Sequence, residues 1–205
     1  MTPRHDDIRT RARDDLRRFE VVMDGHFDYG NGFHGRLYLN PHQLFRYPAT
    51  IWRVAQDLID LLPAALVESI DVVAGPATGG ALLAHTMAGL LEGRRSLTHP
   101  PFSFAPFGDS EGQPSLSPFY VRLVNGRSVL IADDVRNTGQ TFRKCADLVH
   151  LAGGTVVGTV QIVDRCEAEV TLDVPNIALV DYKAPPNYPS VSCPLCAAGT
   201  PITRF

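Results

Sequence analysis

The sequence has no apolar run near the roughly 20 residues that a membrane span requires. Its longest, Ala81 to Leu91, is interrupted by His85. An excess of positive charge is missing too: 19 Lys and Arg stand against 22 Asp and Glu, a formal net charge of -3. A protein that works mainly on nucleic acid wants a basic surface, so neither membrane nor nucleic acid is an expected partner. The Arg-rich start (Arg9, Arg11, Arg13, Arg17, Arg18) alternates with acids and reads as a solvated face. Cysteine is sparse at four residues, too few for a dense disulfide framework. The first residues, Met1-Thr2-Pro3-Arg4-His5-Asp6-Asp7, are charged where a secretion signal would be apolar. Reduced thiols and a cytoplasmic location are therefore expected. Also absent are a Gly-Lys-Ser/Thr phosphate loop, a Gly-x-Gly-x-x-Gly dinucleotide fingerprint, internal repeats and low-complexity stretches. What remains is an ordinary globular composition, 44% hydrophobic and 20% charged, long enough for one domain with a small attachment.

Residues Asp6 to Met23 place Ile8, Ala12, Leu16 and Phe19 at helical spacing, which predicts an amphipathic helix. Between Gly25 and Tyr38, aromatics alternate around glycines, predicting two short strands joined at Asn31-Gly32. Pro41 opens a predicted helix whose apolar stripe (Leu44, Ile51, Val54, Leu58, Leu61) runs to Pro63, with Trp52 expected in the core or at a dimer interface. From Ser69 the pattern becomes strand, loop and helix in alternation. Strands are predicted at Ile70 to Ala74, Phe102 to Phe107, Ser128 to Ala132, Thr155 to Val163 and Ile177 to Val180. Helices are predicted at Ala81 to Leu91 and Gln140 to Ala152, and Gly108 to Ser117 reads as an exposed mobile loop. That alternation predicts an α/β fold with a mainly parallel sheet. The whole chain reads as one domain: 1–66 N-terminal helix and hood, 67–182 core, 183–205 tail.

Open parallel sheets bind ligands beyond the carboxyl ends of their strands. In Val129-Leu130-Ile131-Ala132-Asp133-Asp134-Val135-Arg136-Asn137-Thr138-Gly139-Gln140-Thr141, an apolar strand delivers two adjacent carboxylates, and a polar run then opens a helix. The free N–H groups and positive dipole end of that helix favour a phosphate monoester. Thr138 and Thr141 can add hydroxyl donors, and Gly139 permits close approach. Asp133 and Asp134 suit ribose hydroxyls or a phosphate-bound magnesium ion, because a carboxylate accepts from O–H and suits a hard cation. The plainer alternative makes Asp134 a helix cap and the threonines part of a turn. Donors, glycine and paired acids occurring together count against it.

This thirteen-residue run resembles the 5-phosphoribosyl-1-diphosphate motif of type I phosphoribosyltransferases. Further segments resemble the orotate phosphoribosyltransferases within that family. Gly25-His26-Phe27 with Asn31-Gly32-Phe33-His34 is similar to their N-terminal substrate hood. Gly75-Pro76-Ala77-Thr78-Gly79-Gly80 is similar to their diphosphate-contacting loop, and Asp164-Arg165 to the pair whose arginine contacts the base. Tyr188-Pro189, Cys193-Pro194-Leu195-Cys196 and Gly199 resemble the C-terminal end of one bacterial branch. The resemblance implies a type I phosphoribosyltransferase-like parallel sheet flanked by helices, with a small N-terminal hood. It also implies a homodimer, magnesium as cofactor, phosphoribosyl diphosphate as donor and a small base, orotate foremost, as acceptor. Catalytic roles then fall to Asp133 and Asp134, which would also meet the metal indirectly. Donor binding falls to Ala77, Thr78, Gly79, Val135, Arg136, Asn137, Thr138, Gly139, Gln140 and Thr141, and base binding to Arg165, Phe33 and His34.

One departure from the family is plain. Residues 108–119 hold no Lys or Arg, where the family's mobile loop carries cations that close over the diphosphate. Arg136 is a candidate to restore some positive charge. The alternatives are a binding protein that senses a nucleotide or the donor, and a phosphoribosyltransferase for another base. Cys193 and Cys196 have the spacing of metal ligands, but one such pair is half a zinc site, and packing of two thiols at the tail is the expected reading. His26 and His34 flank the hood, where a base or ordinary packing could occupy them.

Overall fold

A computed structural model describes residues 3–30, 32–94, 100–183 and 185–204. Asn31, half of the predicted hairpin turn, lies outside the described residues. The elements in chain order are α1 (Pro3–Arg18), β1 (Val22–Asp28), β2 (Phe33–Leu39), α2 (His42–Phe45), α3 (Pro48–Leu61), α4 (Ala64–Ser69), β3 (Val72–Pro76) and α5 (Gly79–Glu92). There follow β4 (Ser103–Ser110), β5 (Gln113–Ser115), α6 (Pro118–Val124), β6 (Ser128–Arg136), α7 (Gln140–Leu151), β7 (Thr155–Asp164), β8 (Asn176–Asp181), β9 (Tyr188–Pro189) and α8 (Pro194–Ala197).

A six-stranded sheet has the order β5-β4-β3-β6-β7-β8, parallel throughout except for β5. Burial explains why β6 is apolar without alternation. Leu130 and Ala132 pack into one core with α1, α3 and α5, while Val129 and Ile131 pack into the other with α7. Period-two side chains thus meet a helical layer on each face, so all four can be hydrophobic. Chain order reverses between β3 and β6, which opens a crevice at their carboxyl ends. The loops after β3 and β6 are the two that stood out in the sequence.

The hood is a separate three-stranded antiparallel sheet, β1-β2-β9. It forms because the tail returns: Tyr188 pairs with His34, and Thr203 N–H donates to the His26 carbonyl at 2.7 Å.

Several boundaries differ from expectation. α1 ends at Arg18 because Val22 already belongs to β1. The long helix from Pro41 is two helices, since Pro48 restarts it at a first-turn position. Trp52 is 56% exposed and so is not a core residue. The segment read as a mobile loop is a β-hairpin, with Gly108 paired to Ser115 and Ser110 to Gln113. Its tip places Glu111 and Gly112 both at positive φ, the geometry of a tight two-residue turn. α6 went unpredicted, and β6 runs on through both acids to Arg136.

Candidate active site

β6 carries Asp133 and Asp134 past the sheet's apolar centre to the crevice. Asp133 is buried, and its Oδ1 accepts from the Asp134 N–H at 2.9 Å. Asp134 Oδ1 accepts from the Val135 N–H at 2.7 Å, while Oδ2 lies 3.7 Å from His42 Nε2. Burial, and next the neighbouring Asp134 charge, raises the Asp133 carboxyl well above the ordinary range. Burial raises Asp134 as well. Two carboxylates so close in a poorly solvated place hold a proton more readily than either alone.

Glycines make this packing possible. A Cβ on Gly79 would lie 2.1 Å from Asp134 Oδ2, and one on Gly80 2.9 Å from Asp133 Oδ1. The β3 loop therefore closes onto the acids only because side chains are absent there. Beyond the acids, Gly139 turns the chain at φ 86° into α7, where a Cβ would strike the Val170 carbonyl oxygen at 2.2 Å. The Glu169 and Val170 N–H groups both donate to the Thr138 carbonyl, so the segment after β7 buttresses this turn. The first turn of α7 leaves its N–H groups without intrahelical acceptors.

A cleft of about 530 Å³ is lined by Asp134, Val135, Asn137 and Thr138 on one side. Arg165 and Glu167 after the end of β7, hood residues Tyr29 and Leu37 to Leu39, the adjoining Asn40 to His42, and tail residue Asn187 complete it. Asp164 shapes the β7 end without entering the cleft. Its carboxylate accepts from Arg136 Nη1 (2.9 Å), Gln161 Nε2 (3.1 Å), Asn176 Nδ2 (3.3 Å) and the Cys166 N–H (2.8 Å). The turn so fixed presents Arg165, whose Nη2 meets Glu167 Oε1 at 3.1 Å and whose buried Nε has no partner among the described residues. Arg165 itself lines the cleft, and a guanidinium there is suited to an anionic ligand.

A smaller cleft beside the first is lined by Pro76, Ala77, Thr141, Lys144 and the β4–β5 hairpin. Ala77 and Thr78 are exposed at its edge, Gly79 is buried behind them, and Gln140 is exposed at the start of α7.

Asp133 lies buried next to Asp134 and does not line the cleft, and Arg136, His34 and Phe33 are not brought to it either. Arg136 is held under the site by Asp164 and the Val170 carbonyl, so its charge is already matched. His34 is turned away from the cleft toward His26 and Cys196. Phe33, at the rim of the hood beside Pro189, is not among the lining residues. Conversely, Tyr29, His42, Glu167, Asn187 and Lys144 reach the two clefts and were not singled out. Only Glu167, two residues after Arg165, carried a local signal.

Known proteins match this architecture along most of the chain. The family model of the phosphoribosyl transferase domain matches residues 48–177. An orotate phosphoribosyltransferase of Erythrobacter litoralis is 33% identical over 190 residues, 93% of each chain. That of Caldanaerobacter subterraneus is 30% identical over 92% of each. Among solved structures, the Aeropyrum pernix orotate phosphoribosyltransferase superposes with a TM-score of 0.64 at 21% identity, covering 83% of this chain and 93% of its own. The fold, the domain match and these relatives together place this chain in the type I phosphoribosyltransferase family, as a phosphoribosyltransferase of the orotate-enzyme kind.

Proposed function

We propose that the chain transfers the phosphoribosyl group of 5-phosphoribosyl-1-diphosphate to a free base, orotate foremost, with magnesium, and works as a homodimer. One observation carries this reading. Asp134 near the end of β6, with Asp133 buried next to it in the strand, lines one cleft together with Arg165 after the end of β7 and with Asn137 and Thr138, which lead into α7. The reaction breaks the ribose C1–O bond to diphosphate, passes through an oxocarbenium-like ribose and forms a C1–N bond to the base. The α7 turn from Asn137 to Thr141 offers N–H and hydroxyl donors to the 5-phosphate. Asp133 and Asp134 accept from the ribose hydroxyls, and their negative charge suits the developing cation. Arg165, at the cleft wall, binds an acidic base through its guanidinium by charge-assisted hydrogen bonds. Asp134, at the cleft wall, offers a hard oxygen that would suit a magnesium ion brought with the donor, and such an ion would offset diphosphate charge.

The cation-free segment 108–119, the hairpin end and the start of α6, favours a second reading, a binding protein that senses the donor. Lys144, which lines the small cleft together with that segment, is a candidate replacement for the missing charge. Diphosphate release measured with magnesium, phosphoribosyl diphosphate and a panel of bases separates the two. Turnover with orotate is the expected result. Turnover with another base alone overturns orotate as substrate, and tight donor binding without release on any base supports the sensor. Arg165→Ala should raise KM for the base roughly 10- to 100-fold, the worth of one hydrogen bond to a charged group, and leave donor affinity within about threefold. An unchanged KM would remove Arg165 from the base site.

A further inference from the structure

Away from the cleft, on the far side of the hood, four metal-binding side chains meet. His26 lies on β1, His34 on β2, Cys193 at the N-terminal cap of α8 and Cys196 within that helix. We propose that His26 Nε2, His34 Nδ1, Cys193 Sγ and Cys196 Sγ form a tetrahedral zinc site that fastens the C-terminal tail to the hood.

The spacing is that of ligands around one small ion. The four ligand atoms all lie within 4.8 Å of one another. His26 Nε2 is 3.2 Å from His34 Nδ1, 3.5 Å from Cys193 Sγ and 3.7 Å from Cys196 Sγ, and Cys196 Sγ is 3.3 Å from His34 Nδ1. A tetrahedral ion with Zn–N near 2.05 Å and Zn–S near 2.3 Å sets N–N edges of about 3.3 Å and N–S edges of about 3.6 Å. The observed edges scatter around those values.

Ring tautomers give a second, independent reason. His26 Nδ1 lies 2.8 Å from the Thr200 carbonyl oxygen, which can only accept, so this nitrogen carries the proton and Nε2 offers a lone pair. On His34, Nε2 faces the Asp28 carboxylate at 3.9 Å, which likewise favours the proton there and the lone pair on Nδ1. Both inner nitrogens are then acceptors set 3.2 Å apart, with no proton between them. Bare lone pairs in such contact repel, whereas a cation between them and two sulfurs satisfies all four. Outer N–H groups held by a carbonyl or a carboxylate are the usual support of metal-bound imidazoles.

Two imidazoles and two thiolates suit zinc, and four protein ligands leave no open position for substrate, so the role is structural. Each thiol gives up its proton on binding. The site lies where the tail already pairs with the hood: the Thr203 N–H donates to the His26 carbonyl, and the Asp28 N–H to the Thr203 carbonyl. Because Tyr29, Leu37 to Leu39 and Asn187 line the main cleft, the ion would also hold that wall in place.

Elemental analysis of the purified full-length chain should find one zinc per chain, retained by Cys166→Ser and lost in Cys196→Ser. Cobalt substitution of the unaltered chain should give the intense visible bands of a tetrahedral thiolate site. Chelator should lower its melting temperature by roughly 10 °C. The unaltered chain decides the matter even where Cys196→Ser fails to fold. A substoichiometric zinc content with no thiolate–cobalt bands overturns the proposal, as does a Cys193–Cys196 disulfide in freshly purified protein. Turnover on any base, or none, leaves these readouts untouched.

Discussion

Replacing Asp133 and Asp134 together by Asn should weaken binding of phosphoribosyl diphosphate by roughly a hundredfold to ten-thousandfold. Each carboxylate accepts from a ribose hydroxyl in the proposed complex, and a hydrogen bond to a charged group contributes about 1.5–3 kcal/mol. Two such bonds give about 3–6 kcal/mol. Calorimetry on the double variant checks the affinity directly, and a dissociation constant within threefold of the unaltered chain would sink the pocket assignment. The single variant Asp133→Asn should behave oppositely in stability. Burial, then the Asp134 charge, holds the folded-state Asp133 carboxyl well above its unfolded value. From the unfolded value of about 3.9 up to the raised folded one, the folded chain binds more protons than the unfolded, so stability falls as pH rises through that window. Asn has no charge to lose and can still accept from the Asp134 N–H. Asp133→Asn should therefore be more stable at neutral pH, by about 0.5–2 kcal/mol, with the gain fading toward pH 4. Thermal melts across pH test this, and a variant that melts lower at pH 7 would show that the buried charge is not a strain on the fold.

The strand, turn and helix start around the acid pair were legible because their signals are local. An apolar strand, two acids, then Thr-Gly-x-Thr occupy contiguous positions, and backbone rules turn that run into a strand, a turn and a helix start. The core was legible for the same reason: Val129 to Ala132 can only be buried on both faces. What could not be read was long-range. Arg136 looked like a free cation until β7 brought Asp164 beside it, 28 residues away in sequence. Nothing near Gly108 to Ser117 revealed a hairpin, because Gln113 to Ser115 contains Pro114 and is too short for an alternating pattern. The pairing of His26 and His34 with Cys193 and Cys196 spans some 170 residues and depends on the tail returning to the hood. Each half looked weak alone, and their sum exists only in the folded chain.

Gly79→Ala should damage the same site without removing any polar atom. Its new Cβ would lie 2.1 Å from Asp134 Oδ2 and 2.8 Å from Asp134 Cγ, with the Phe45 ring 3.1 Å away on the other side. Asp134 cannot simply swing aside, since its other oxygen is held by the Val135 N–H. Either that bond breaks or the β3 loop lifts, and both take Asp134 out of line with the ribose in the proposed complex. Losing one charge-assisted hydrogen bond sets the expected drop in donor affinity at roughly 10- to 100-fold. Crowding of this kind also costs about 1–3 kcal/mol of stability. Gly89→Ala is the matched control on the same helix: nothing lies within 4 Å of its Cβ, so helix propensity alone should make it more stable, by about 0.4–1 kcal/mol. Opposite signs for one chemical change, ten residues apart, would isolate close approach as the reason for glycine at 79. Coupling sharpens the test. If the added methyl group acts through Asp134, then Gly79→Ala combined with Asp134→Asn should bind donor little worse than the worse single variant. Fully additive losses would place the harm elsewhere in the β3 loop, and the glycine would no longer count as a partner of the acid pair.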